Sequence, residues 1–133
     1  MIAIFDYGSG NIRSAQKAFA TTGRKVEIVS EPKVAMGASA LVVPGVGAFA
    51  ACMEQIINSG GIDLIETFHK SGKQIFGICV GMQVLFNTSS EKGSHKGIGI
   101  LSVDVTKLQA QILPQIGWNT VSTSEESKLF AGI

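Results

Sequence analysis

Apolar positions along the chain fall into short unbroken runs separated by stretches in which polar and apolar residues alternate with a helical period. Ile2–Phe5 is a run of four apolar residues, stopped by the Gly-rich polar stretch Asp6–Asn11. Such a run, bounded by turn residues, predicts a strand buried on both faces. Beyond it, Ile12, Ala15, Phe19 and Ala20 share one helical face and Arg13, Gln16 and Lys17 another. Asn11 or Ser9 is placed to cap that helix, and Gly23 to end it. Val26, Ile28 and Val29 predict a second strand. Ser30-Glu31-Pro32 opens a short helical segment, with proline at a tolerated early position. Ala40–Val43 predicts a third buried strand, closed by Pro44-Gly45-Val46-Gly47-Ala48.

Phe49, Met53, Ile56 and Ile57 give the next stretch a helical pattern as far as Gly60-Gly61. Ile62, Ile65 and Phe68 mark another helix, which stops near Ser71-Gly72. Lys73–Ile78 then predicts a fourth strand ending at Cys79, with a helix running on through Val84, Leu85 and Phe86. Regular alternation of strand and helix over these residues predicts a parallel sheet covered on both faces. After Phe86 the pattern changes. Residues 87–97 are polar and predict an exposed loop, and Ile98–Leu108 favours β structure. Pro114–Asn119 predicts turns and Thr120-Val121 a short strand. The apolar ending Leu129–Ile133 requires a surface to pack on.

Composition narrows the function classes. The 133 residues are 45% apolar and 16% charged, enough for a core and against disorder. A net charge of +1 gives no electrostatic case for nucleic acid or an anionic membrane. No apolar run approaches the roughly 18 residues that span a bilayer. Met1–Phe5 lacks the basic start of a signal peptide, so a reducing, cytoplasmic setting is expected, with Cys52 and Cys79 unpaired. His69 and His95 are each isolated, and neither a metal site nor a cofactor is expected.

The candidate chemistry centres on Gly77-Ile78-Cys79-Val80-Gly81-Met82-Gln83. A strand ending in Gly-x-Cys-x-Gly and turning into a helix is the cysteine form of a nucleophile elbow. The glycines permit the sharp turn, and the following helix start favours a thiolate at Cys79. Gln83, one turn on among apolar neighbours, is a candidate for substrate binding. Gly45, Val46 and Gly47 close the third strand on the same edge, where their N–H groups are candidates to hold an oxyanion. Cys52 reads as a packing residue. Asp6–Asn11 is a poor match to a dinucleotide loop: no third glycine follows Gly8 and Gly10, and no acidic residue closes the second strand. A thiol nucleophile needs a base. His69 lies at the opposite edge of the sheet and His95 in a polar loop, and neither Asp6 nor Glu54 has a better claim.

These motifs in this order resemble the class I (triad) glutamine amidotransferases. Asp6–Ser14 and the later Gly117-Trp118-Asn119 are similar to the glutaminase subunits of imidazole glycerol phosphate synthases, and the resemblance extends over the whole chain. It implies an α/β, flavodoxin-like, mostly parallel sheet with flanking helices and a β-rich second half. It implies that Cys79 forms a glutamyl thioester, that Gly45, Val46, Gly47, Val80 and Gln83 bind substrate and oxyanion, and that Asn11 and Trp118 face a partner. That partner is a (β/α)8-barrel cyclase subunit, joined as a heterodimer and fed ammonia for histidine biosynthesis. The family completes its triad with a His-Pro-Glu motif. This chain has no His-Pro dipeptide and no histidine after His95, and Gln115 stands where the family usually has histidine. The expectation is therefore residues 1–133 of one amidotransferase domain, either C-terminally incomplete or degenerate, and inactive in isolation. A non-catalytic binding module and a glutaminase for nucleotide-sugar amination are the alternatives.

Overall fold

The computed structural model describes residues 1–132. The elements follow in the order β1 (Ile2–Phe5), α1 (Ile12–Ala20), β2 (Val26–Val29), α2 (Pro32–Ala35), β3 (Ala40–Gly45), α3 (Phe49–Asn58), α4 (Gly61–Lys70), β4 (Gln74–Cys79), α5 (Val80–Gln83), β5 (Phe86–Ser89), β6 (His95–Lys96) and β7 (Leu101–Val105). β1 to β4 form a parallel sheet in the order β2-β1-β3-β4. This is the flavodoxin-type order, with its reversal where β1 and β3 lie side by side.

The two faces of that sheet are unequal. One core packs Phe5, Leu41, Val43, Phe49, Ile56, Leu64, Ile65 and Phe68 beneath α2 to α5. The other is small: Ile4, Ala15 and Val42, with Phe19, Ile28 and Ile78 around them, under α1. α1 does not fully cover β4, so Phe76 is 42% exposed although its ring meets Phe19 edge-on. Among the described residues β4 pairs only with β3, and its other edge is open. The expected two-sided cover thus holds for β1 and β3 and fails for β4.

Beyond β4 several expectations are corrected. The elbow helix is a single turn, because Phe86 enters β5 rather than continuing the helix. Residues 87–97 are not one loop: β5 pairs antiparallel with β6 and parallel with β7 in a second, three-stranded sheet. Polar side chains such as Thr88 suit an exposed strand face there, and Thr88 Oγ1 donates to Asp104 Oδ1 at 2.8 Å across the ladder. Thr120-Val121 is not a strand, and no helix or strand forms within residues 106–132. With no neighbouring strand to supply hydrogen bonds, β propensity alone does not make a strand. The apolar ending finds little cover, with Leu129 and Phe130 exposed; Ile133 lies outside the described residues.

Candidate active site

Cys79 closes β4 and precedes α5, with its side chain exposed. Its backbone sits at φ 56°, ψ −120°, a conformation that residues with a Cβ rarely adopt. The positive φ therefore belongs to the cysteine and not to its flanking glycines. Gly77 and Gly81 serve close approach instead. A Cβ on Gly81 would lie 2.0 Å from Val43 O, and one on Gly77 2.4 Å from Met82 Cα. β4 is pressed against α5 at Gly77, and α5 against β3 at Gly81, so tightly that only glycine fits at either crossing.

β3 runs beside β4 to the end, with Gly45 paired to Cys79. A Cβ on Gly45 would lie 2.4 Å from the Gly81 backbone nitrogen, so the candidate oxyanion loop begins in backbone contact with the elbow. Tyr7 holds the strand end by donating its hydroxyl to Pro44 O. Burial first, then the neighbouring Cys52, pushes the Tyr7 hydroxyl well above the ordinary tyrosine range, so it stays a neutral donor. Val46 and Gly47 lie next in the exposed loop, Gly47 at φ 88°. The Val46 N–H, expected to face an oxyanion, donates instead to Ser9 Oγ at 3.2 Å. Val80 is the first residue of α5, where a helical N–H has no acceptor within the helix.

Gln83 is half-buried and lines a cavity of about 350 Å³ with Ser90, Glu91, Lys92, Val105, Thr106 and Lys107. Cys79 is not in its wall, so the cavity adjoins the elbow through Gln83. Glu91 was not singled out by its sequence context. Its carboxylate accepts from Phe49 N at 2.7 Å and so caps α3, whose own N-cap, Ala48, has no side chain that could do so. Buried Ser89 supports it by accepting from Glu91 N at 3.2 Å. Glu91 and Phe49 are 42 residues apart, and no local signal links them.

The two histidines are placed apart from this constellation. His69 is exposed in the last turn of α4 and lines a second cavity of about 190 Å³ with Lys73 and Gln74. His95, expected to be solvated in a loop, lies in β6, half-buried, with its ring 6.5 Å from that of Phe49. Among the described residues no hydrogen bond joins either ring to Cys79. Asn11 caps α1 by accepting from Ser14 N at 3.3 Å, on the same edge of the sheet as Cys79. Trp118 is fully exposed. Cys52, expected to do no more than pack, is buried but hydrogen-bonded to Ser9 and Val46. No helix among the described residues is long and apolar enough to cross a membrane.

Comparison with known proteins gives a consistent result. The family model for class-I glutamine amidotransferases matches residues 3–133. The imidazole glycerol phosphate synthase subunit HisH of Corynebacterium diphtheriae is 46% identical over 133 residues, which cover 99% of this chain and 63% of that protein. The subunit of the same name from Chlorobium luteolum is 42% identical, covering 100% of this chain and 67% of that protein. The chain thus spans about 63% of the length of the first of these relatives. Among solved structures, a glutamine amidotransferase superposes with a TM-score of 0.66 at 21% identity, over 77% of this chain and 54% of that one. That likeness supports the fold.

Proposed function

The chain belongs to the class-I glutamine amidotransferases, and we propose that it carries the nucleophile and oxyanion half of a glutaminase site. Cys79 Sγ attacks the side-chain amide carbon of glutamine. Backbone N–H groups of the Gly45–Gly47 loop and of Val80 stabilise the oxyanion, ammonia leaves, and water releases glutamate from the thioester. The observation that carries this reading is the strained backbone of exposed Cys79, in register with Gly45. A strained conformation at a reactive side chain is retained where surrounding structure enforces it, and such positions cluster at active sites.

Gln83 and its cavity are the proposed glutamine pocket. Glu91 suits the α-ammonium group, and Lys92 or Lys107 the α-carboxylate. The ammonia passes to a (β/α)8-barrel cyclase subunit in a heterodimer serving histidine biosynthesis. The relatives' description as subunits of imidazole glycerol phosphate synthase supports this. Asn11 and Trp118 are the proposed partner-facing residues, and both are exposed. A sealed passage is required because ammonia released into bulk water would be protonated.

Neither histidine of the 133 residues contacts Cys79 through a hydrogen bond, so a polypeptide of these residues alone lacks a working base. Glutamate release by it, with or without a barrel subunit, is expected at least about 10⁴-fold below that of a complete glutaminase. Turnover at the rate of a complete glutaminase would contradict this account.

A further inference from the structure

β3 keeps its two neighbours over unequal distances. Its register with β1 ends at Ile4 and Val42. Its register with β4 continues through Pro44 and Ile78 to Gly45 and Cys79. The end of β3 has therefore lost its β1 partner by the point at which it reaches the nucleophile. Pro44 has no N–H, so its carbonyl is the one backbone polar group it brings to a ladder. Pro44 is buried, and an unpaired buried carbonyl is costly. Tyr7, just beyond the end of β1, supplies the missing donor: its hydroxyl bonds to Pro44 O. A side chain thus stands in for the strand that has turned away.

This hydroxyl lies at the crossing that holds the elbow. A Cβ on Gly45 would stand 2.9 Å from Tyr7 Oη, 2.4 Å from Gly81 N and 3.0 Å from Val80 C. Gly45 is therefore confined between the tyrosine hydroxyl and the Val80–Gly81 peptide, which follows Cys79 in the chain. Having no side chain, Gly45 has no packing of its own to fix its backbone. The bond to Pro44 O, on the residue before it, does so from within. Tyr7 is 5% exposed, and its ring packs 5.6 Å from that of Phe5. Burial also keeps the hydroxyl protonated, so the donor persists.

We propose that Tyr7 is a positioning residue for the glutaminase chemistry: its hydroxyl, bonded to Pro44 O, holds Gly45 in register with Cys79 and so sets the spacing between nucleophile and glycine loop. This rests on the proposed reading of Cys79 as nucleophile and of the loop as its oxyanion site. The loop's backbone donors begin at Gly45, so the register governs them as a group. A shift of about 1 Å in such a spacing costs on the order of 10²-fold in rate.

The test uses the natural full-length polypeptide with its synthase partner, at a temperature where parent and variant are both folded. Tyr7→Phe keeps the ring and loses the hydroxyl. It is expected to lower kcat for glutamine hydrolysis roughly ten- to a hundredfold, with KM changed less than about twofold. Alkylation of Cys79 by iodoacetamide forms no oxyanion, so its rate is expected to stay within about twofold of the parent's. An unchanged kcat, a rise in KM alone, or an alkylation rate that falls along with kcat overturns the proposal. Should Tyr7→Phe fail to fold, two replacements of Tyr7 decide: para-aminophenylalanine restores a donor, and para-fluorophenylalanine fills the same space without one. The first is expected to exceed the second in kcat by about tenfold, and equal rates overturn the proposal. Cys79→Ala separates the levels. If it keeps full turnover, the nucleophile reading itself fails; if it is inactive while Tyr7→Phe turns over normally, only the present inference fails.

Discussion

Cys79 holds a backbone conformation that favours glycine, and this should register in stability as well as in chemistry. A non-glycine residue in a sparsely populated region costs about 1–3 kcal/mol. Cys79→Gly is therefore expected to stabilise the fold by about 1 kcal/mol in chemical denaturation while removing the thiol. A destabilised variant would contradict the strain assigned to this position. Tyr7 makes a second test at the same scale. Its hydroxyl, buried and bonded to Pro44 O, ionises at higher pH in the folded state than in the unfolded chain. The unfolded chain gives up that proton around pH 10, while the folded protein retains it. Stability should therefore be fully present below about pH 10 and fall as pH rises beyond it. In Tyr7→Phe that component of the alkaline loss should vanish, at a cost near neutral pH of about 1 kcal/mol for the missing hydrogen bond. Urea midpoints measured from neutral to alkaline pH would show both effects.

At the scale of elements, the sequence pattern foretold the strands and helices as far as Cys79, because each has a local cause. β1 and β3 are unbroken apolar runs, α1 has an apolar face and an Asn cap, and α4 starts after Gly60 in the left-handed conformation. Elements beyond Cys79 depend on distant residues and were not legible in the local pattern. α5 stops after one turn because Val84 and Leu85 are drawn into the core and Phe86 into β5. β6 exists only through its pairing with β5. The cap of α3 is equally non-local, coming from Glu91 on the β5–β6 connection. Glu91→Ala should cost about 1 kcal/mol of stability, and Glu91→Gln, which keeps an acceptor and loses the charge, about half of that. Denaturant midpoints of the two variants would check the order. Equal stability of both with the parent would show that the carboxylate does not support α3.

Over the whole molecule, segments distant in the chain come together at the C-terminal ends of the parallel strands. Asp6–Asn11 extends from β1, Val46–Ala48 from β3, and Cys79 leads into α5. A parallel sheet with right-handed crossovers gathers these loops at one edge, which is why the glycine-rich positions could be read as a group from sequence alone. Chemistry that depends on contact was less legible. Ser9 looked like an alternative helix cap and Cys52 like packing, yet they meet across 43 residues to grip Val46. The proposed function rests on Cys79 as the reactive thiol. It is tested most directly by treating the protein with a chloroketone analogue of glutamine and locating the adduct by peptide mass spectrometry. Alkylation is expected at exposed Cys79, with protection by excess glutamine and no adduct on buried Cys52. An unmodified Cys79, or modification that glutamine does not slow, would contradict it.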